Sequence, residues 1–410
     1  MLELIVETNK KLKLLVIYLL YKMTCLEEMP MKKIVLIGPV YPYKGGISHY
    51  TSLMHKALSK TYDVTMVSYK MQYPRFLFKK EQKDFSNDSF QVNPTFYWIN
   101  TALPWNWIQC AKKINRLNPD LIVIQWWHPY FTPCYCVLLS LLRKIPKIFI
   151  CHNVIPHENF PGASLLTKLA LKKGNGFIVH SKSDEQDLVK LIPDAVFCRT
   201  VLPTYNAFKL RGIDRTESRK ILEIESETKV LLFFGLVRKY KGLEYLIKAL
   251  PRVCASLANV KLFIVGDFGE MGEYYSNLIQ EEKVEQNIII KSGYLPDREV
   301  EPYFAASDLV VLPYISATQS AIVQVAFGFE KPVVVTNVGG LPDVVEDGKT
   351  GYVVESQNIE QLSEAIISYF KDNKEKEFSE NVRKEAYRFS WDRMTETIEN
   401  LTTIIEGVRN

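Results

Sequence analysis

The sequence predicts an α/β protein of two doubly wound domains facing each other across a cleft. Three observations carry this. Short apolar runs without charge, such as Leu231–Phe234, read as strands buried on both faces, the pattern of a parallel sheet. These runs alternate with amphipathic helical stretches, the order of βαβ units. The alternation occurs twice, before and after Leu202–Arg215, a segment with Pro203, Asn206 and Gly212 and little periodicity that reads as a linker.

Residues 1–30 stand apart as an N-terminal extension. Leu12–Leu20 is apolar, but Lys10, Lys11, Lys13 and Lys22 flank or interrupt it and it is too short to span a bilayer. No small-residue cleavage site follows, and Met31 opens MKKIVLIGP, which reads like a cytosolic start. An extension upstream of the true start is the preferred reading; an interfacial amphipathic helix and a packed extra helix are the others.

The first domain is expected over 31–203. Ile34–Gly38 reads as a strand, Pro39–Gly46 as a loop, and Ile47–Lys60 as a helix with apolar positions at Ile47, Leu53, Met54, Ala57 and Leu58. Val64–Ser68 is a second strand, followed by a charged, irregular excursion at Gln72–Asp88. Strands Leu121–Gln125 and Ile148–Cys151 flank an apolar helix around Val137–Leu142. Phe177–His180 passes into a helix capped by Ser181 or Ser183, and Val196–Val201 completes the half. The second domain, 206–386, repeats the alternation with strands Lys229–Phe234, Lys261–Val265, Asn287–Ile290, Leu309–Leu312, Val333–Thr336 and Gly351–Val354. The tail from Asn358 to Val408 is helical with a break near Phe389–Trp391, so 387–410 forms a final helix.

Composition sets the outer bounds. A chain of 410 residues with 47% apolar and 24% charged residues is an ordinary globular protein of two or three domains. A net charge of +5 suits anionic substrates or an anionic membrane surface and is too small to argue for nucleic acid. The seven cysteines are scattered; Cys134 and Cys136 lie in an apolar stretch without zinc-site spacing, which points to free thiols in a reducing cytosol.

Candidate site residues cluster where strands end. After Phe234 come Gly235, then Arg238, Lys239 and Lys241, then Gly242 at a helix start; cations beside helix N–H groups suit a phosphate or diphosphate, a solvated basic loop being the plain alternative. In Gly38–Ser48, the pair Gly45-Gly46 lets backbone approach a ligand closely. The loop is not G-x-G-x-x-G and no acidic residue ends the second strand, which disfavours a dinucleotide. His152-Asn153 end the strand before Val154, with His157-Glu158 a few residues on; a histidine here suits a sugar hydroxyl or developing charge, or simply a backbone partner. His128 is similarly placed beside Trp126 and Trp127, which suit stacking or core packing. In the second half, Gly266-Asp267 makes a tight turn, and KSGYLPD around Leu295 is placed to set backbone against a base. Ser316–Ser320 (SATQS) opens a helix at Ala321, where Thr318, Gln319 and Ser320 suit phosphate or sugar oxygens, N-capping being the simpler role.

The motifs GPVYPYKGG, HNVIPHE, FFGLVRKYKGL, IVGD, GYLPD, SDLVVLPY and KPVVVTNVGGLPDVVEDGKTGYVV, in this order, resemble the family-four ("group 1") retaining glycosyltransferases of GT-B fold, two Rossmann-like domains. The likeness covers nearly everything from Met31 onward. It implies transfer of a sugar from a nucleotide-sugar donor to a glycan or lipid-linked saccharide, with retention, without metal or other cofactor. By the resemblance Arg238 and Lys241 hold the donor diphosphate, Gly45-Gly46 border the reaction centre, and His152 contacts the donor sugar. Gly235, Gly266, Leu295, Thr318, Gln319, Ser320 and Ala321 complete the expected donor site. The family's Glu-x7-Glu pattern, aligned through Lys331–Val334, falls on Ala317 and Val325, neither acidic; the chain resembles a subgroup with a SATQS-type segment there. Front-face transfer, needing mainly charge neutralisation, is the expected mechanism. A nucleotide-sugar epimerase of similar fold and a donor-binding protein without transfer are the rival readings. Peripheral association with the inner face of a membrane is the expected limit of any membrane contact.

Overall fold

The computed structural model describes residues 31–78, 81–156, 160–205 and 208–409. The extension 1–30 with Leu12–Leu20, and His157-Glu158, lie outside the described residues.

Each half is a parallel sheet wrapped by helices. The first sheet contains β1 (Lys33–Ile37), β2 (Asp63–Met71), β3 (Thr95–Asn100), β4 (Leu121–Trp126), β5 (Lys147–Cys151), β6 (Gly176–Val179) and β7 (Phe197–Arg199), in the order β3-β2-β1-β4-β5-β6-β7. The second contains β8 (Lys229–Phe234), β9 (Val260–Gly266), β10 (Ile288–Ser292), β11 (Leu309–Leu312), β12 (Val333–Thr336) and β13 (Gly351–Val354), ordered β10-β9-β8-β11-β12-β13. Neighbouring strands run parallel throughout, for example Ile34 beside Val64 and Leu121, and Leu231 beside Leu262 and Leu309. In both sheets the order reverses beside the first strand, between β1 and β4 and between β8 and β11. Strand ends there diverge and leave a crevice at the carboxyl edge.

The first domain carries α1 (Gly46–Leu58), α2 (Pro104–Leu117), α3 (Thr132–Ser140), α4 (Ala163–Leu171) and α5 (Lys182–Leu191). The second carries α6 (Arg215–Ile221), α7 (Leu243–Ser256), α8 (Gly272–Glu281), α9 (Glu301–Ala306), α10 (Ala321–Gly328), α11 (Leu341–Val344), α12 (Ile359–Lys371), α13 (Glu375–Lys384) and α14 (Trp391–Arg409). Alternate residues of each strand feed opposite cores. Val35 and Ile37 join the layer of α2, α3 and α4, whereas Ile34 and Leu36 join the core that continues into the second domain.

Two parts of the molecule had no counterpart in the sequence reading. The edge strand β3 buries only Ile99 and so lacks a continuous apolar run. Helices α2 and α4 also went unassigned, although Pro104 takes the first turn of α2, where its missing N–H costs nothing. The segment read as a linker is packed: Leu202, Tyr205 and Phe208 are buried, and Thr204 N–H donates to the Phe389 carbonyl. Within the same segment the Arg211 and Gly212 N–H groups donate to buried Glu301 at 2.8 and 2.7 Å.

The final helix returns to the first domain. Met394, Ile398, Leu401 and Ile405, at helical spacing, are buried, and a Cβ on Gly176 would lie 2.5 Å from Ile405 Cδ1. At its solvent edge Tyr62 donates to Glu399 at 2.8 Å and Lys60 pairs with Asp392 at 3.0 Å. No described helix is long and apolar enough to cross a membrane.

Candidate functional site between the two carboxyl edges

The second domain contributes four loops from neighbouring strand ends. After β8 the chain turns at Gly235. The Lys241 ammonium would lie 3.8 Å from a Cβ placed there. Strand β9 ends so close that a Cβ on Gly266 would sit 1.8 Å from the Gly235 carbonyl, which only glycine permits. Lys241 Nζ donates to the Tyr314 hydroxyl at 2.8 Å and stands 4.5 Å from the centre of its ring, so Tyr314, directly after β11, aims the cation. Arg238 leans the other way: its Nη1 donates to the Val237 carbonyl at 3.1 Å and would lie 3.2 Å from a Cβ on Gly269, in the turn after β9. Two cations therefore bracket the backbone crossing of Gly235 and Gly266.

Helix α10 starts beside them. Its N-cap, Ser320, makes no capping bond; the hydroxyl instead lies 3.4 Å from the Tyr314 hydroxyl. The first N–H groups of the helix are thus left without a side-chain acceptor, the arrangement that receives an anion. Ala321 lies 3.6 Å from a Cβ placed on Gly46, so the start of α10 meets the start of α1, which Gly45 opens without a side-chain cap. Two helix N-termini face each other across the cleft.

In the first domain, His152 Nε2 lies 2.7 Å from Gln125 Oε1, and the ring packs edge-on to Tyr50 with centroids 4.7 Å apart. Burial, reinforced by the neighbouring His180, holds the His152 imidazole well below its usual pKa. His180, with Nδ1 2.9 Å from the Thr200 carbonyl, is pushed down to about 4 by burial. Both rings are neutral near pH 7. His152 is therefore suited to accept or donate a hydrogen bond and not to supply a positive charge.

The SATQS segment joins the halves. Thr318 donates to Asn153 Oδ1 at 2.5 Å, and Gln319 Nε2 donates to the His180 carbonyl. The Gly340 N–H bonds the Thr318 carbonyl at 2.8 Å. Leu295 is buried in the core, and its neighbours bridge to the first domain: Tyr294 donates to Asp84 at 2.6 Å, and Asp297 accepts from His49 Nε2 at 2.7 Å. Of the sequence-predicted residues, Gly45, Gly46, Gly235, Arg238, Lys241, Gly266, Ser320 and Ala321 thus gather at the meeting of the two edges. His152, Thr318 and Gln319 lie on its first-domain side, and Leu295 points away.

Sequence reasoning assigned no role to Tyr314, His49 or Asp297, although Tyr314 ends the motif SDLVVLPY and Asp297 ends KSGYLPD; His49 left no signal. His128 caps a short turn, accepting from Tyr130 N–H at 3.1 Å, and Trp126 is core. At the positions aligned with the two glutamates, Ala317 is partly buried and Val325 is packed in the core. The residue before it, Gln324, is fully buried with neither amide atom bonded. Among the described residues no three His, Cys, Asp or Glu side chains group as metal ligands, and Cys110, Cys134, Cys136, Cys151, Cys198 and Cys254 are free.

Comparison with known proteins gives the two halves a common class. Residues 44–197 match the family model Glycosyltransferase Family 4, and residues 214–388 match Glycosyl transferases group 1. An uncharacterized glycosyltransferase of Methanocaldococcus jannaschii is 26% identical over 310 residues, covering 72% of this chain and 79% of its own. Sucrose-phosphate synthase from Thermosynechococcus elongatus superposes with a TM-score of 0.70 at 17% identity, covering 92% of this chain and 100% of the other. Anabaena HepE in complex with UDP and glucose gives 0.69 at 18% identity, covering 91% and 99%. The chain is a glycosyltransferase of GT-B fold.

Proposed function

We propose that this protein transfers a sugar from a nucleoside-diphosphate sugar to a glycan or lipid-linked saccharide, with retention at the anomeric carbon. The observation that carries the reading is the pair Arg238 and Lys241 flanking the Gly235–Gly266 crossing, beside the uncapped start of α10. A diphosphate there is met by two fixed cations and a helix terminus. As the bond from the anomeric carbon to the phosphate oxygen breaks, negative charge grows on the leaving group where these donors already point. The acceptor oxygen forms the new bond on the same face, and its proton passes to the departing phosphate oxygen. Charge neutralisation by side chains leaves no step for a metal in this scheme. HepE bound to UDP and glucose supports a uridine nucleotide as the first to try. A lipid-linked acceptor places the enzyme at the periphery of a membrane.

Thermal shift with a panel of nucleotide sugars and nucleoside diphosphates tests the donor site, because a ligand of the native state raises Tm. UDP or a UDP-sugar is expected to do so, and no response to any nucleoside diphosphate would overturn the reading. With the binding donor in hand, acceptor-dependent release of nucleoside diphosphate marks a transferase. Conversion of the donor sugar alone marks an epimerase, and neither reaction marks a binding protein.

A further inference from the structure

The outer layer of the first domain carries a surface that donor chemistry does not use. Helices α2, α3 and α4 bury one side against the sheet through residues such as Trp107, Ile114, Leu138 and Leu171. Their other side carries exposed apolar side chains among basic ones. Leu165 is 63% exposed and Trp105 62%, and Leu141, Leu169, Ile108 and Val137 are exposed as well. Between α3 and α4 lies an open depression of about 530 Å³, lined by Cys136, Val137, Leu141 and Leu169 with Lys172 and Lys173 at its rim. Val137, Leu141 and Leu169 share this depression, and grouped exposed apolar side chains mark a contact surface.

Charge says what touches it. None of α2, α3 and α4 contains an acidic residue. Residues 101–182 hold ten Lys and Arg against two acids, Asp120 and Glu158, a net of +8. The whole chain has +5, so the remainder carries −3. Asp120 is spent on the Lys33 backbone N–H, which it accepts at 2.7 Å. A second copy of the chain would bring two such faces together across a two-fold axis, like charge against like. Aliphatic and indole groups ringed by lysines instead match a bilayer, in which the apolar tips enter the acyl boundary and the ammonium groups meet anionic headgroups.

We propose that the α2–α3–α4 face is the surface by which this protein docks on an anionic lipid bilayer. The proposal rests on the reading of a peripheral membrane enzyme and names the face responsible. It requires nothing of residues 1–30.

Co-sedimentation of the full chain with vesicles tests it. The protein is expected to bind phosphatidylcholine vesicles containing phosphatidylglycerol, to bind pure phosphatidylcholine weakly, and to be released by salt. Lys172→Glu with Lys173→Glu should weaken partition about tenfold or more, and Leu165→Ser with Leu169→Ser severalfold. Lys371→Glu with Lys376→Glu, an equal charge change on exposed residues of the second domain, should leave binding close to wild type. All variants should keep the UDP-induced rise in Tm, which separates this face from the donor site. Wild-type protein that ignores anionic vesicles would overturn the membrane reading as a whole. Wild-type binding that survives the face variants, or falls equally with the control, would overturn the face alone. So would a dimer in solution that only the face variants dissolve.

Discussion

Replacing Lys241 with Met keeps the aliphatic stem beside Tyr314 and deletes only the charge. In the free protein that charge makes one bond to a neutral hydroxyl at 2.8 Å and stands over the rings of Tyr314 at 4.5 Å and Tyr240 at 6.0 Å. At a half-buried site these are worth about 1 kcal/mol together. For domains of this size that lowers Tm by about 2–4 °C. In the proposed donor complex, the same ammonium faces a leaving group that gains charge as the bond to the anomeric carbon breaks. Losing such a preorganised donor costs about 2–4 kcal/mol in the barrier, roughly 30- to 1000-fold in kcat. Arg238→Ala should behave alike. The double variant should lose less than the product of the two effects, because both cations grip one diphosphate. The assay pairs release of nucleoside diphosphate at saturating donor with calorimetric UDP affinity. Affinity should fall less than turnover, since charge is greatest at the transition state. Near-wild-type turnover by either variant would refute the clamp. A Tm loss much larger than stated would show instead that Lys241 is structural.

The buried pair His49–Asp297 ties α1 to the second domain, and a double-mutant cycle with His49→Ala and Asp297→Asn should return a coupling of about 1–3 kcal/mol in denaturation; additivity would deny the link. His180 and His152 are neutral when folded but gain protons below about pH 6.5 when unfolded, so stability is full above that pH and is lost as pH falls toward 4. Asp184, pushed up to about 6 by burial, binds its proton in the folded state and opposes the trend, leaving a net loss on the order of 2 kcal/mol between pH 7 and 5; equal or higher stability at pH 5 by urea denaturation would refute the assignment. Gly339→Ala puts a Cβ 1.6 Å from the Ala317 carbonyl at a φ of +55°, and should cost more than about 3 kcal/mol, a smaller loss showing that the turn relaxes. Gln324→Met removes an unbonded buried amide and should leave stability unchanged or raise it by about 1 kcal/mol; a clear loss in thermal denaturation would mean the amide has a partner.

Legibility followed the physics of each signal. Strands β8, β11, β12 and β13 have the limits read from sequence, because each is a buried apolar run cut off by glycine, proline or a polar residue. The edge strand β3 alternates half-exposed residues and gave no such run. The basic loop after β8 was legible since strand, glycine, cations and helix start are contiguous. Contacts across the cleft were not. His49 and Asp297 are separated by 248 positions, and Thr318 and Asn153 by 165. Local periodicity carries no information on such pairs. The same limit explains Leu202–Arg215, whose proline and glycine signal an irregular path but not whether that path is solvated. Tyr205 bonds the Gln324 and Gly46 carbonyls and Phe208 packs on His49 and Phe90, partners that arrive from elsewhere in the chain.

The missing glutamates become less anomalous once their positions are seen in three dimensions. A carboxylate at 325 would enter the apolar core that now holds Val325, where an unpaired charge costs several kcal/mol. One residue along a helix turns the side chain by about 100°. Ala321 meets Gly46 across the cleft, and Gln324 and Val325, three and four residues further along α10, both lie on its side of the helix. Gln324 is the one polar side chain of Ala321–Gly328. An amide both donates and accepts, so it can serve hydroxyl groups that a carboxylate would only accept from. It also adds no negative charge beside the diphosphate proposed to sit between Arg238 and Lys241. Thr318 and Gln319, meanwhile, are engaged with Asn153 and His180, so in this chain the loop that precedes α10 spends its polar side chains on holding the two domains together. A donor entering the cleft must either fit around those bridges or exchange them for its own hydroxyls, which couples donor binding to the spacing of the two carboxyl edges.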